Sequence, residues 1–272
     1  MSQPLSFEAP ADEPLSIHET SGEGALTASR AVSRGYEFSC RGDRVPLAVW
    51  TPESDPPHAL LLLQPAPGDS GALASRDELD MWLDAGVAIA SIELPLFGSR
   101  RSEKLSEKLS QSVTAAARGD RIDETGELLW QEFTRQAVME LRRAMDVVNE
   151  VWRREPRAIA FAGVGIGASL GTLLCAVDER PGGAVLALTG GGFGPETIDP
   201  TGFVAAIAPR PLLFVNEEAA KPRPGAPAIP KDRAIELHEA ARDPKQVSWQ
   251  QGNSPKTLDP ASKFLSDLLR AG

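Results

Sequence analysis

The stretch AFAGVGIGASLG, residues 160–171, decides the reading of this chain. An apolar run stops at Gly163, glycines recur at 165 and 167, and small helix-compatible residues follow. Strand, tight turn and helix in that order form the local geometry that presents a nucleophile or cradles a phosphate. The turn's own residues, and what surrounds them, must separate the two.

Working outward, the pattern alternates between strand and helix. YEFSC (36–40) and VPLAVWTP (45–52) flank the turn RGDR and read as a hairpin. HALLLLQP (58–65) is a continuous apolar run, the mark of a strand buried on both faces, and GVAIASIELP (86–95) reads as another buried strand. A helix is expected between them, from Ser75 to Ala85. Residues 99–127 are charged and small, with the tetrad SEKL repeated; Leu105 and Leu109 lie on one side of an expected surface helix. Residues 127–154 carry Leu129, Phe133, Val138, Leu141, Met145 and Val148 at roughly helical spacing. Next come a strand (157–163), a helix (168–178), strands at 183–190 and 210–216, a helix at 233–241, and a short strand at 246–251. A closing helix follows, with Asp259 and Pro260 at its start. About eight strands, an N-terminal hairpin and regular alternation predict a mostly parallel sheet with helices on both faces. Residues 31–272 read as one domain, and residues 1–30 as a polar, poorly ordered lead-in.

Composition narrows the partners. A net charge of −10 over 272 residues opposes binding to nucleic acid or anionic lipid. No apolar run is long enough to span a membrane, and the first residues lack the basic start and apolar middle of a secretory signal. The two cysteines, Cys40 and Cys175, show no metal-site spacing and fit a reducing, cytoplasmic setting. No metal or cofactor is expected, and a homodimer is left open.

The order of elements resembles the α/β-hydrolases of the dienelactone-hydrolase and acyl-esterase kind over roughly residues 31 to 270. ALLLLQPAPGDSG (59–71) stands where that family has a strand ending in His-Gly. SIELPLFGSRR (91–101) resembles its Asp-x-Pro-x-x-Gly-x-(Ser/Glu)-Arg segment. Residues 163–190 resemble the nucleophile elbow, its helix and a following Ala-Val-Asp-x-Arg, while 207–219 and 247–260 resemble the segments before the acid and histidine loops. The resemblance implies a serine activated by histidine, an acid orienting that histidine, and two backbone N–H groups holding an oxyanion.

Position by position, the residues depart from that pattern. The elbow G-x-S-x-G falls on residues 163–167, which puts Gly165 at the nucleophile position. A second register, 167–171, would use Ser169. Spacing favours the first: the family's Asp-x-Arg lies about thirteen residues past the serine, and Asp178 is thirteen past Gly165 but nine past Ser169. Ser169 then reads as a small residue packing helix against sheet. The histidines, His18, His58 and His238, all fall outside the loop after the last strand, where Asn253 takes the base position. An amide accepts no proton near neutral pH. Glu217 and Glu218 lie near the acid position, with an exposed polar turn as the plainer reading. His-Gly-x becomes Pro65, Ala66, Pro67, and proline has no N–H to donate.

Gly163, Gly165 and Ala168 also fit G-x-G-x-x-A, but the strand after them ends in Leu188-Thr189 with no acid to hold a ribose. The sequence therefore points to a hydrolase fold without its triad, binding a small molecule in the remaining pocket. Pro65, Ala66, Pro67, Phe97, Ile166, Gly167 and Gly191 are the expected lining. An interaction or scaffold protein, and a residual esterase using Ser169, stand as alternatives.

Overall fold

The computed structural model describes residues 6–9, 12–20, 31–53, 57–67, 76–219, 221–222, 227–251 and 261–270. Its strands are β1 (His18–Thr20), β2 (Ala31–Cys40), β3 (Asp43–Pro52), β4 (Ala59–Gln64), β5 (Val87–Ile92), β6 (Ala158–Val164), β7 (Pro181–Ala187), β8 (Leu212–Glu217) and β9 (Lys245–Gln250). Its helices are α1 (Arg76–Asp84), α2 (Glu103–Ala117), α3 (Glu124–Trp152), α4 (Ile166–Val177), α5 (Lys231–Ala240) and α6 (Ser262–Arg270). The described strands form one sheet in the order β1-β2-β3-β5-β4-β6-β7-β8-β9. The pairs from β5 through β9 are parallel, and those joining β1, β2, β3 and β5 are antiparallel.

The side chains of β4 show how the sheet is covered. Successive residues of a strand point to opposite faces. Leu60 and Leu62 join the apolar core formed with α3 and α4, while Leu61 and Leu63 join the core formed with α1 and α6. All four are fully buried, which is why this strand reads as an unbroken apolar run.

Among the described residues the sheet has nine strands, against about eight expected, because β1 adds to the edge of β2. The described parts of the lead-in pack on the domain: Phe7 is buried, with its ring 5.9 Å from Phe203, and Ser39 donates to the Leu15 carbonyl at 2.7 Å. The charged region divides at 118–123. Its first helix, α2, buries Leu109, Val113 and Ala116 and leaves Leu105 exposed. Helix α3 then starts at a capped end, where Asp123 accepts from the Gly126 N–H at 2.8 Å. No helix among the described residues is long and apolar enough to cross a membrane.

Candidate functional site

In an open parallel sheet, the crevice lies at the carboxyl ends of the strands. Here β6 runs into α4 at that end, and Gly165 is the single residue between them. Its backbone has φ 58 and ψ −121, a conformation open to glycine and strained for most other residues. The bend is tied down on both sides. The Gly165 N–H donates to the Ala187 carbonyl at 2.9 Å, and the Gly165 carbonyl accepts from Ala168 and Ser169 at 3.0 and 3.1 Å.

The flanking glycines have a packing reason. A Cβ on Gly163 would lie 2.6 Å from the Gly167 carbonyl oxygen, and one on Gly167 would lie 2.3 Å from that of Gln64. Both are close approaches of backbone to backbone, which accounts for the glycine pattern without a phosphate.

A cavity of about 40 Å³ sits over this corner. Trp130, Leu170, Leu173, Phe193, Ile198 and Ile229 give it apolar walls, and Gly165 and Ile166 form part of its floor. The polar groups in its lining are Thr134, Ser169, Thr189 and Asp199. Val113, Ile166 and Pro227 are shared with a second cleft of about 210 Å³, which runs along α2 between Phe97 and Pro222. These three residues stand between the cavity and the cleft along α2.

Ser169 lies on the wall of the cavity. Its Oγ is 3.0 Å from Thr189 Oγ1 and donates a long bond, 3.4 Å, to the Gly165 carbonyl. Thr189 is brought there by Leu188, whose φ of 51 turns the chain at the end of β7. The Thr189 N–H donates to Asn216 Oδ1 at 3.1 Å. With that oxygen engaged, the Asn216 amide N–H₂ faces His238 Nε2 at 3.0 Å. Nε2 is therefore the acceptor, and the neutral ring carries its proton on Nδ1. Burial pushes the His238 pKa down to about 4, aided by the Lys245 charge.

The other predicted residues scatter. His18 is exposed on β1, and His58 precedes β4, at the sheet end opposite the cavity. Asn253 lies outside the described residues. Glu217 ends β8 buried rather than in an exposed turn, beside Trp249 in a small pocket adjoining the cavity. Glu218 pairs with Lys231 on the surface. Phe97 lines the outer cleft and packs edge-on against Phe133. Pro65, Ala66, Pro67, Gly167 and Gly191 border neither space. Gly167 faces Gln64, and the Cα of Gly191 is turned toward Thr201 and Asp199.

The sequence reading missed Asp199 and the Thr189–Asn216–His238 chain. Asp199 Oδ1 accepts from the Thr201 N–H and hydroxyl at 2.9 and 2.5 Å, and Oδ2 accepts from the Gly192 N–H at 2.7 Å. It holds the loop that closes the cavity. The Asp199-Pro200-Thr201 turn was the available signal, because an aspartate before proline often caps a turn.

Comparison with solved structures finds the same overall architecture in several esterases and a hydrolase. The chain is similar to a cold-adapted esterase from an Arctic intertidal metagenomic library, with TM-score 0.67, 16% identity, and coverage of 89% of this chain and 96% of that one. It is similar to acetyl xylan esterase 1 from a Thermoanaerobacterium species, with TM-score 0.63, 11% identity, and coverage of 98% and 95%. A third neighbour is the 2,6-dihydroxy-pseudo-oxynicotine hydrolase, with TM-score 0.60, 13% identity, and coverage of 88% and 68%. At these identities the likeness defines the fold. No family model matches the chain, and no curated relative matches it.

Proposed function

We propose that this protein has given up the serine-hydrolase mechanism and uses its fold to hold a small molecule in the cavity beside Gly165. The observation that carries the proposal is the corner itself. Gly165 keeps the left-handed bend that an elbow uses to present a side chain, and it has no side chain to present. Further support comes from the base. His238 is engaged by Asn216, and the base position in the sequence is an asparagine. Pro67 cannot supply the second oxyanion donor. A largely apolar recess with a few convergent polar groups is the usual form of a small-molecule site.

A fluorophosphonate probe tests this directly, alongside hydrolysis of p-nitrophenyl acetate. The expected result is no covalent adduct and no hydrolysis above the buffer rate. An adduct on Ser169 would overturn the proposal in favour of a second reading, an esterase acting through that residue. That reading has two supports: the Ser169 hydroxyl borders the cavity, and the structural neighbours include esterases. It lacks a general base within hydrogen-bond reach of Ser169 among the described residues.

A further inference from the structure

We propose that the occupant of this cavity is a neutral amphiphile. Its narrow, uncharged hydroxyl or carbonyl end sits against Ser169 and Thr189, and its aliphatic body runs outward along α2. The inference rests on the small-molecule reading above and names the chemistry that the recess selects.

Size sets the first limit. A dry cavity that admits benzene has roughly 150 Å³, and the inner space here is about 40 Å³. It holds an end group and not a ring. The outer cleft, about 210 Å³, has room for a short aliphatic chain between Phe97, Leu109 and Pro227. Val113, Ile166 and Pro227 border both spaces, so a molecule that occupies the two together passes beside them.

Charge sets the second. The described lining of the inner cavity contains no lysine, arginine or histidine. It does contain Asp199, whose two oxygens already accept from three donors. An anionic end there would be stripped of water next to a carboxylate, with no cation to offset it. A cationic end would also lose its water, and Asp199, with three donors already on its two oxygens, has about one acceptor site left to offer it. Arg118 is the one cation in the described linings of these two spaces, where it borders the outer cleft alone, and Lys221 lines the small adjoining pocket instead.

Hydrogen bonding sets the third. Ser169 and Thr189 carry two hydroxyl protons between them and share one bond. One of those protons remains, with only the long contact to the Gly165 carbonyl competing for it. The pair can therefore donate once and still accept, which suits an alcohol or a carbonyl.

The experiment titrates 1-hexanol, hexanoate and hexylamine separately into the full chain, read by thermal midpoint and by calorimetry. The same titrations are run on the Ser169→Ala/Thr189→Val double variant. Hexanol is expected to bind at least tenfold more tightly than either charged analogue, and to lose about tenfold in the variant. If hexanoate or hexylamine binds as tightly as hexanol, or the folded variant keeps hexanol's affinity, the neutral-head inference falls while the small-molecule reading stands. If none of the three binds the wild-type chain, both fall. Should the variant fail to fold, the ratio of hexanol to hexanoate on the wild-type chain still decides.

Discussion

At the scale of residues, four polar side chains tie the cavity wall to α5: Ser169, Thr189, Asn216 and His238. Their arrangement is more a brace than a proton wire, because the link from Thr189 to Asn216 runs through a backbone N–H. Its weak point is acid. His238 is neutral in the fold with a pKa pushed down to about 4, against an ordinary value of 6.5. Below pH 6.5 the unfolded chain takes up a proton that the folded chain refuses. The stability from His238 is thus complete above pH 6.5 and is lost as pH falls from there toward 4. Between pH 7.5 and 5 the loss from this residue is about 2 kcal/mol. His238→Gln keeps an acceptor for Asn216 and removes the titration. Urea unfolding of both chains at the two pH values is the check. The wild type should lose about 2 kcal/mol more than the variant, and equal losses would show that His238 is not the buried neutral group described.

At the scale of elements, the longest helix is pinned by a buried charge. Glu140 on α3 is fully buried and accepts from both terminal nitrogens of Arg100 at 2.7 Å, while Gln136 donates to it one turn earlier, also at 2.7 Å. Arg100 follows β5 and precedes α2, so the pair locks α3 to the segment that leads into the cavity's outer wall. Such a pair is costly to break on one side and cheap to replace on both. Arg100→Met should destabilise the protein by about 3–5 kcal/mol, and adding Glu140→Met should recover most of that. Chemical denaturation of both variants measures it; a single variant as stable as the wild type would refute the pairing. This pair also marks a boundary of what the sequence reveals. The elements from 59 to 187 are legible because β4, β5 and β6 are apolar along most of their length and α3 keeps a helical period over 29 residues. Gly165 at the corner is legible because strand, glycines and helix meet within twelve residues of sequence. The direction of Ser169 is not, because α4 is apolar or small around most of its circumference and its period names no exposed face. Arg100 meets Glu140 across 40 residues, and Asn216 meets His238 across 22. Neither meeting leaves a trace in local pattern, since tertiary packing alone decides it. Strand β1 was missed for a similar reason. Its three polar residues, HET, have no strand period and are held by the free edge of β2.

At the scale of the whole molecule, the sheet is asymmetric. Its parallel half carries the cavity, and its antiparallel half is an edge that needs covering. The described N-terminal pieces do this covering, and they also reach across to the far side of α3. Arg142 and Arg143 on α3 donate to the Phe7 and Glu13 carbonyls, each at 2.9 Å. Glu13 Oε1 and Oε2 accept from the Gly42 and Arg41 N–H groups of the β2–β3 turn at 2.9 and 2.7 Å. Phe7 is 6% exposed and meets the edge of Phe203, in the same loop region that Asp199 holds over the cavity. The lead-in therefore joins the hairpin, the long helix and the cavity's loop in one packed unit. If that unit folds cooperatively, a change at residue 7 must be felt by the whole chain. Phe7→Ala should lower global stability by about 3 kcal/mol, the usual cost of emptying a buried phenylalanine site. Unfolding followed by tryptophan fluorescence and by far-ultraviolet circular dichroism would shift together, because Trp130 sits in the cavity wall and the helices report the sheet's other layers. A loss below about 0.5 kcal/mol, the range of surface substitutions, would mean that the lead-in rests on the domain without belonging to its fold.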